Sequence, residues 1–284
     1  MIAPSSPFDR AAFERGVERL SKRYEVRYDE SIFARQGYFA GDDTRRLDEI
    51  RRVIADESVE MIVAARGGYG ATRLLPAIDI AAVSNAEKLL VGFSDITALH
   101  ALWQRAGVQS IHGPMICALG DQGEEGSARF ERWVDTVEGR ALPPFANLSC
   151  IVAGEARGPV FGGNLSVLCA MVGSPYAPKL DDAIVFIEDI GERPYRVDRM
   201  LTGLLQSGFF ARVAGVAVGH FTESKVGADA VTVEEVIRER LSSLSVPVVS
   251  GLPCGHVDDN APLPFGAAAR LDATRGTLTF EAYE

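Results

Sequence analysis

The sequence predicts an α/β protein, with a parallel-sheet domain in its N-terminal half and a second α/β domain after it. Three observations carry that expectation. The runs Met61-Ile62-Val63-Ala64-Ala65 and Leu89-Leu90-Val91-Gly92-Phe93 are continuously apolar, as strands buried on both faces are. Segments of helical periodicity stand before and after them, the rhythm of strand–helix–strand units. Around residues 142–158 this rhythm breaks into Leu-Pro-Pro, a short β-like stretch and Gly-Glu-Ala-Arg-Gly-Pro, and then a new series of strands and helices begins. The expected domains are therefore 1–145 and 158–284.

A short strand opens the chain and leads into an amphipathic helix over 9–23, with Phe13, Val17 and Leu20 on one face. Tyr24-Glu25-Val26-Arg27-Tyr28 alternates as a strand does. Asp42 and Asp43 are positioned to cap a helix in which Leu47, Ile50, Val53 and Ile54 recur at helical spacing. The strand at 61–65 ends in Arg66-Gly67-Gly68-Tyr69-Gly70. The strand at 89–93 runs into Ser94 and a helix to about Gln104, followed by a strand at 110–112. Beyond the break, strands are expected at 184–187, 213–218 and 246–250, and helices near 164–171, 195–206 and 233–244. Two β-like segments, 267–271 and 277–282, close the chain. No internal repeat or low-complexity tract interrupts it.

Composition excludes several functions. A formal net charge of −10 over 284 residues is the wrong sign for a nucleic-acid partner, and an anionic substrate would need a local arginine to meet it. No apolar run approaches the ~20 residues of a membrane helix. Met1-Ile2-Ala3-Pro4-Ser5-Ser6-Pro7 lacks the basic and apolar regions of a signal peptide, so a cytoplasmic protein is expected. Cys117, Cys150, Cys169 and Cys254 are scattered without a C-x-x-C pair, the pattern of reduced and mostly buried thiols. No histidine and carboxylate grouping has metal-ligand spacing, so no metal is expected. Neither G-x-G-x-x-G nor G-x-x-x-x-G-K-[ST] occurs, and no cofactor is expected.

Gly92-Phe93-Ser94-Asp95-Ile96-Thr97 stands where a buried strand turns into a helix. A serine there projects beyond the carboxyl end of the sheet, among the free N–H groups of the new helix. The motif resembles a G-x-S-x-G elbow with Ile96 in the last glycine position; the plain alternative is a serine that only caps its helix. Four histidines can supply a base. His100 lies inside the helix after Ser94, and His112 and His220 end strands. His256 lies in Gly251-Leu252-Pro253-Cys254-Gly255-His256-Val257-Asp258-Asp259-Asn260, a turn-rich loop after a strand and the kind of segment that presents catalytic side chains. His256 ranks first and His112 second. Val185-Phe186-Ile187-Glu188-Asp189 ends an apolar strand in two carboxylates that alternate between faces, so only one faces a given site. Glu188 is the acid expected to orient the imidazole, and Asp189 or Glu192 suits a strand end or a cap before Arg193-Pro194-Tyr195. The loop at 66–70 is suited to cradling a phosphate, supplying an oxyanion N–H, or merely turning tightly. Gly162-Gly163-Asn164-Leu165-Ser166 leaves similar alternatives.

These segments together resemble the LD-carboxypeptidase family of serine peptidases. Residues 3–7, 41–45, 66–70, 92–97, 112–114, 162–165, 187–201 and 251–266 follow in the family's order across nearly the whole chain. The resemblance implies an N-terminal domain related to glutamine-amidotransferase-like folds, a smaller C-terminal α/β domain and an active site between them. It implies a triad of Ser94, Glu188 and His256, with the N–H groups of Asp95 and Gly68 as the oxyanion hole. It further implies a homodimer that releases D-Ala from murein tetrapeptide in cytoplasmic wall recycling. Arg66 is the first candidate for the substrate's terminal carboxylate, ahead of Arg199 and Arg196. Two other readings remain: a microcin C-type self-immunity branch with the same triad, which hydrolyses a peptidyl-nucleotide amide, and a non-catalytic small-molecule binder using the glycine loops. Family members also carry several residues of first strand before the A-P-S-S-P segment, where this chain has only Met1 and Ile2.

Overall fold

The structure, a computed structural model, describes residues 1–121, 127–228 and 230–281. The chain starts with α1 (Arg10–Ser21), capped by the Asp9 carboxylate on the Ala12 N–H. Next come α2 (Asp43–Ala55), capped by Asp42, and β1 (Met61–Val63). The helix α3 (Ile80–Ala86), β2 (Leu89–Gly92), α4 (Thr97–Ala106) and β3 (Ser110–His112) follow. Two helices, α5 (Ile116–Asp121) and α6 (Ser127–Val137), end this half. The second half runs β4 (Ser149–Val152), β5 (Glu155–Asn164), α7 (Leu165–Met171), β6 (Ile184–Ile190), α8 (Pro194–Gln206), β7 (Gly215–Thr222), α9 (Val233–Leu241) and β8 (Val248–Ser250). It closes with β9 (Leu263–Phe265), β10 (Ala268–Asp272) and β11 (Thr277–Phe280). The last expected segment was 277–282, and Ala282 lies outside the described residues.

Among the described residues the strands form two sheets. The first has the order β1-β2-β3-β9, with β1, β2 and β3 parallel and β9 antiparallel on β3. The second has the order β11-β10-β5-β6-β7-β8-β4, parallel from β5 through β8 and antiparallel at β10, β11 and β4. A parallel centre covered by helices explains the unbroken apolar reading of Ile184, Val185, Phe186 and Ile187, all fully buried. The strand β9 belongs to the first sheet although β10, two residues later, belongs to the second. Phe265 pairs with Ser110, and Gly266 N–H then donates to Val160 C=O at 3.0 Å, so residues 263–268 fasten the sheets together.

Two expectations about strands are corrected. The opening strand is a single bridge: Ile2 donates to Val63 C=O at 3.1 Å and accepts from Ala65 N–H at 2.8 Å. Residues 24–28 form no strand. Their apolar side chains, Tyr24 and Val26, pack on the core near Trp133, and Arg27 C=O is taken by the Met1 ammonium at 2.7 Å instead of a ladder. Packing satisfied the alternation without a neighbouring strand. Helices α1 and α5 meet closely because Gly16 and Gly120 lack side chains. A Cβ on either would lie 2.2 or 2.1 Å from a carbonyl of the opposite helix.

Candidate active site

The carboxyl ends of β2, β3, β5 and β6, with the loop after β8, converge on one place, where open α/β sheets bind ligands. Extended Phe93 ends β2, and Ser94 follows in the left-handed region at φ +63°. That conformation costs a non-glycine residue about 1–2 kcal/mol, so the surroundings must hold it. Gly67 is one of them: a Cβ there would sit 2.9 Å from Ser94 Cβ and 3.0 Å from Oγ. Ile96, where an elbow would have its last glycine, packs fully buried over Gly92. The Ser94 side chain caps neither the turn at Ser94–Ile96 nor α4.

Asp95 turns the other way. Its buried carboxylate accepts Ser5 Oγ–H at 2.6 Å and Ala71 N–H at 2.8 Å, and burial pushes its pKa above the usual range. Ser6 completes the tie: its N–H donates to Gly67 C=O at 3.3 Å and its Oγ accepts Tyr69 N–H at 3.1 Å. Ser5 and Ser6 therefore hold the loop at 66–70 against the serine turn. Sequence reasoning quoted their motif without giving them this role, although two adjacent hydroxyls ahead of a glycine loop were visible. Among the described residues, the N–H groups of Asp95 and Gly68 have no protein acceptor. Arg66 is exposed, with Nη1 donating to Pro7 C=O at 2.9 Å. Of the other arginines considered, Arg196 pairs with Glu192 at 3.5 Å and Arg199 lies over the Tyr195 ring.

His256 and Glu188 meet directly, Nδ1 to Oε2 at 2.7 Å. Since an ionised carboxylate only accepts, Nδ1 carries the proton and Nε2 keeps its lone pair. Gly255 allows the approach, because a Cβ there would fall 2.8 Å from Glu188 Oε2. The loop is fixed by Gly255 N–H on Asn260 Oδ1 at 2.9 Å and by Thr222 Oγ1–H on His256 C=O at 3.1 Å. The Phe93 ring lies 4.8 Å from the His256 ring, bringing the serine's neighbour against the imidazole. Among the described residues, Ser94 Oγ and His256 Nε2 make no direct hydrogen bond. Serine and imidazole are thus neighbours through Phe93, while imidazole and carboxylate are bonded.

Glu188 is wholly buried. Burial alone would raise its pKa, but His112 and His256 outweigh that and hold it down at about 2. His112 Nε2 is 3.9 Å from Oε1, beyond hydrogen-bond length, so its influence is electrostatic. Asn164 Nδ2 reaches both carboxylates, Glu188 Oε1 at 3.4 Å and Asp189 Oδ1 at 2.9 Å. Asp189 accepts Ser166 N–H and Ile190 N–H at 2.9 and 2.8 Å, at the start of α7 and not before Arg193 as expected. Its pKa is pushed up to about 6, chiefly by burial. The remaining histidines stand apart. His100 is fixed between Ser110 Oγ and Gly92 C=O, each at 2.8 Å, and burial lowers its pKa to about 3. His220 is exposed on β7. The cysteines are all free, and Cys150 is exposed, against the expectation of mostly buried thiols. No helix of the described residues is long and apolar enough to cross a membrane.

Comparison with known proteins gives this arrangement its relatives. Residues 1–113 match the model of the LD-carboxypeptidase N-terminal domain, and residues 157–271 match that of the C-terminal domain. A Synechocystis chain named as a carboxypeptidase is 38% identical over 286 residues, covering 99% of this chain and 93% of that one. The murein tetrapeptide carboxypeptidase of Pseudomonas aeruginosa is 28% identical, covering 97% of this chain and 93% of that one. The crystal structure of muramoyltetrapeptide carboxypeptidase from Oxalobacter formigenes superposes with a TM-score of 0.86 at 33% identity, over 98% of this chain and 97% of that one. The microcin C7 self-immunity protein shares the fold, with a TM-score of 0.89 at 22% identity over 100% and 96% of the two chains. Matched over both halves, the chain belongs to the LD-carboxypeptidase family.

Proposed function

We propose that the protein is a serine carboxypeptidase that releases terminal D-Ala from murein tetrapeptide, with Ser94 as nucleophile, His256 as general base and Glu188 as its orienting acid. The observation that carries this reading is the 2.7 Å contact of His256 Nδ1 with a wholly buried, ionised Glu188. That contact presents Nε2 as a proton acceptor beside the strained serine turn. Ser94 Oγ attacks the carbonyl of the third stem residue while its proton passes to Nε2. The oxyanion is held by the N–H groups of Asp95 and Gly68. His256 returns the proton to the leaving amine as the C–N bond breaks, and water then releases the acyl group from Ser94. Arg66 is the candidate for the terminal carboxylate. The murein stem as substrate is supported by the relatives' names. A cytoplasmic homodimer acting in wall recycling completes the proposal.

The test is D-Ala release from murein tetrapeptide by wild type and Ser94→Ala, with and without EDTA. Release that survives EDTA and falls at least about 10⁴-fold in the variant supports the reading. Full turnover by Ser94→Ala overturns the mechanism. No release by folded wild type overturns the substrate assignment and brings peptidyl-nucleotide amides forward.

A further inference from the structure

The serine turn is flanked by a group of aromatic rings that the proposed chemistry does not use. Tyr38 is 62% exposed and Tyr69 48% exposed, the two most open aromatic side chains of this half, and they are neighbours. Their ring centroids lie 5.9 Å apart, and Phe39 stands 4.4 Å from Tyr38 and 5.7 Å from Tyr69. Phe39 is the pedestal. The Arg46 and Arg73 guanidiniums lie 4.5 and 4.9 Å from its centroid, and both arginines pair with Asp43. Gly70 lets the ring against the loop, since a Cβ there would fall 2.9 Å from Phe39 Cδ1. Tyr38 sits at the tip of a tight hairpin, in which Gln36 and Phe39 exchange two backbone hydrogen bonds of 3.0 Å.

Both exposed rings are tied to the serine by short chains of contacts. Tyr69 is two residues from Gly67, which lies against Ser94. The hairpin ends at Ala40, whose N–H donates to Ser5 C=O at 2.9 Å, and Ser5 Oγ is bonded to Asp95 at 2.6 Å. The patch is therefore tied to the serine turn through Gly67 on one side and Ser5 on the other. Tyr195, 51% exposed, makes a useful contrast: its partners are the guanidiniums of Arg196 and Arg199, and it has no aromatic neighbour among the described residues.

We propose that Tyr38 and Tyr69 form a carbohydrate subsite that takes the muramoyl sugar at the far end of the stem peptide. The proposal rests on the murein-peptide reading and specifies which part of that substrate is recognised. Reach agrees with it. In α-linked backbone, three extended residues from the attacked carbonyl back to the sugar would span about 10–11 Å, and the γ-linked second residue and the lactyl ether of the stem add to that. Two backbone residues from Gly67 to Tyr69 cover at most about 7 Å, within that span. Chemistry agrees as well. A sugar offers C–H faces to an aromatic ring and hydroxyls to a phenol, and a tyrosine meets both with an apolar body and a polar tip. A bare peptide backbone would use only the second.

The experiment measures calorimetric Kd for muramoyl-tetrapeptide and for free tetrapeptide on the Ser94→Ala protein, which leaves the ligand intact. The quantity of interest is the ratio of the two. The sugar-bearing ligand is expected to bind about tenfold tighter. Adding Tyr38→Ala or Tyr69→Ala brings the ratio towards one, and Tyr38→Phe preserves it. Equal Kd values in the parent protein, a ratio unmoved by either alanine, or no binding of either ligand overturns the subsite. D-Ala release from free tetrapeptide by wild type, assayed in parallel, decides the peptidase reading separately. A protein that releases none yet keeps the ratio has the subsite without the proposed activity.

Discussion

His256 Nδ1 donates to Glu188 Oε2 at 2.7 Å, and the carboxylate that accepts is wholly buried. The contact fixes the ring's tautomer as well as its direction. Glu188→Gln keeps the size of the side chain but can present its NH₂ to Nδ1, which drives the proton to Nε2 and removes the base. The expected outcome is a kcat lower by about 10³–10⁴ with KM changed little. Steady-state D-Ala release, with circular dichroism to confirm folding, checks it. A kcat within tenfold of wild type would reassign the base.

The neighbouring carboxylates make opposite contributions to stability as pH changes. Glu188 is held at about 2, below its ordinary 4.5, so its contribution is complete above pH 4.5 and is lost as pH falls towards 2. Asp189 is raised from 3.8 to about 6, so the native state favours its protonated form. Its contribution is complete below pH 3.8 and is lost as pH rises through 6, at a cost of about 3 kcal/mol. Asp189→Asn mimics the protonated form, and because Ser166 N–H and Ile190 N–H bond Oδ2 and Oδ1 separately, its single oxygen keeps only one of them, a cost that does not vary with pH. Its melting temperature should therefore lack the decline expected of wild type between pH 4 and 6. Parallel melting curves for the two proteins would refute this.

Much of this site was legible because each member ends an element whose pattern is local. Glu188 closes an apolar strand, Ser94 stands between a strand and a helix, and His256 lies in a turn-rich loop, so each could be placed on its own. What joins them depends on contacts across the fold. Asn164 touching both carboxylates follows from the pairing of β5 with β6, and Ser5 holding Asp95 from 90 residues away follows from how the chain start lies along the first sheet. The same limit explains the strand expected at 24–28, whose alternation was real but whose partner did not exist. It also explains β9, where Leu263, Pro264 and Phe265 gave no sign of returning to the first sheet. Pairing partners are set by global topology, which alternation alone does not encode.

Gly67 lies against Ser94 with no room between them, and this makes a second variant informative. Ala at 67 would place its Cβ 2.9 Å from Ser94 Cβ and 3.0 Å from Oγ, tighter than ordinary contact. Gly67 is not at positive φ, so the substitution strains the contact rather than its own backbone. Gly67→Ala should displace the serine and lower kcat about 10²-fold, since a shift of about 1 Å is enough for that. The melting temperature should fall by only a few degrees, about what 1–2 kcal/mol produces in a domain of this size. Labelling of Ser94 by a fluorophosphonate, compared with wild type, reads the displacement directly. Unchanged labelling and turnover would show that the loop yields.

His112 poses the sharpest question about the carboxylate. It is wholly buried, neither ring nitrogen has a hydrogen-bond partner among the described residues, and its nearest charge is Glu188 Oε1 at 3.9 Å. Aromatic rings enclose it, Phe186 at 4.9 Å, Phe265 at 5.6 Å and Phe93 at 5.8 Å. Leaving a buried polar ring unpaired costs about 1–3 kcal/mol. A position that only filled space would be better served by phenylalanine. His112→Phe relieves that cost but takes support from the ionised Glu188, so stability near neutral pH should change little. It also removes one of the two partners that keep the Glu188 pKa low, so that pKa should rise towards 4.5. The loss of stability that Glu188 causes between pH 4.5 and 2 should then be smaller than in wild type, and kcat falls about tenfold while the fold remains intact. Melting curves from pH 2 to 6, read beside turnover, distinguish the two roles. An unchanged acid limb with unchanged kcat would make His112 a packing residue.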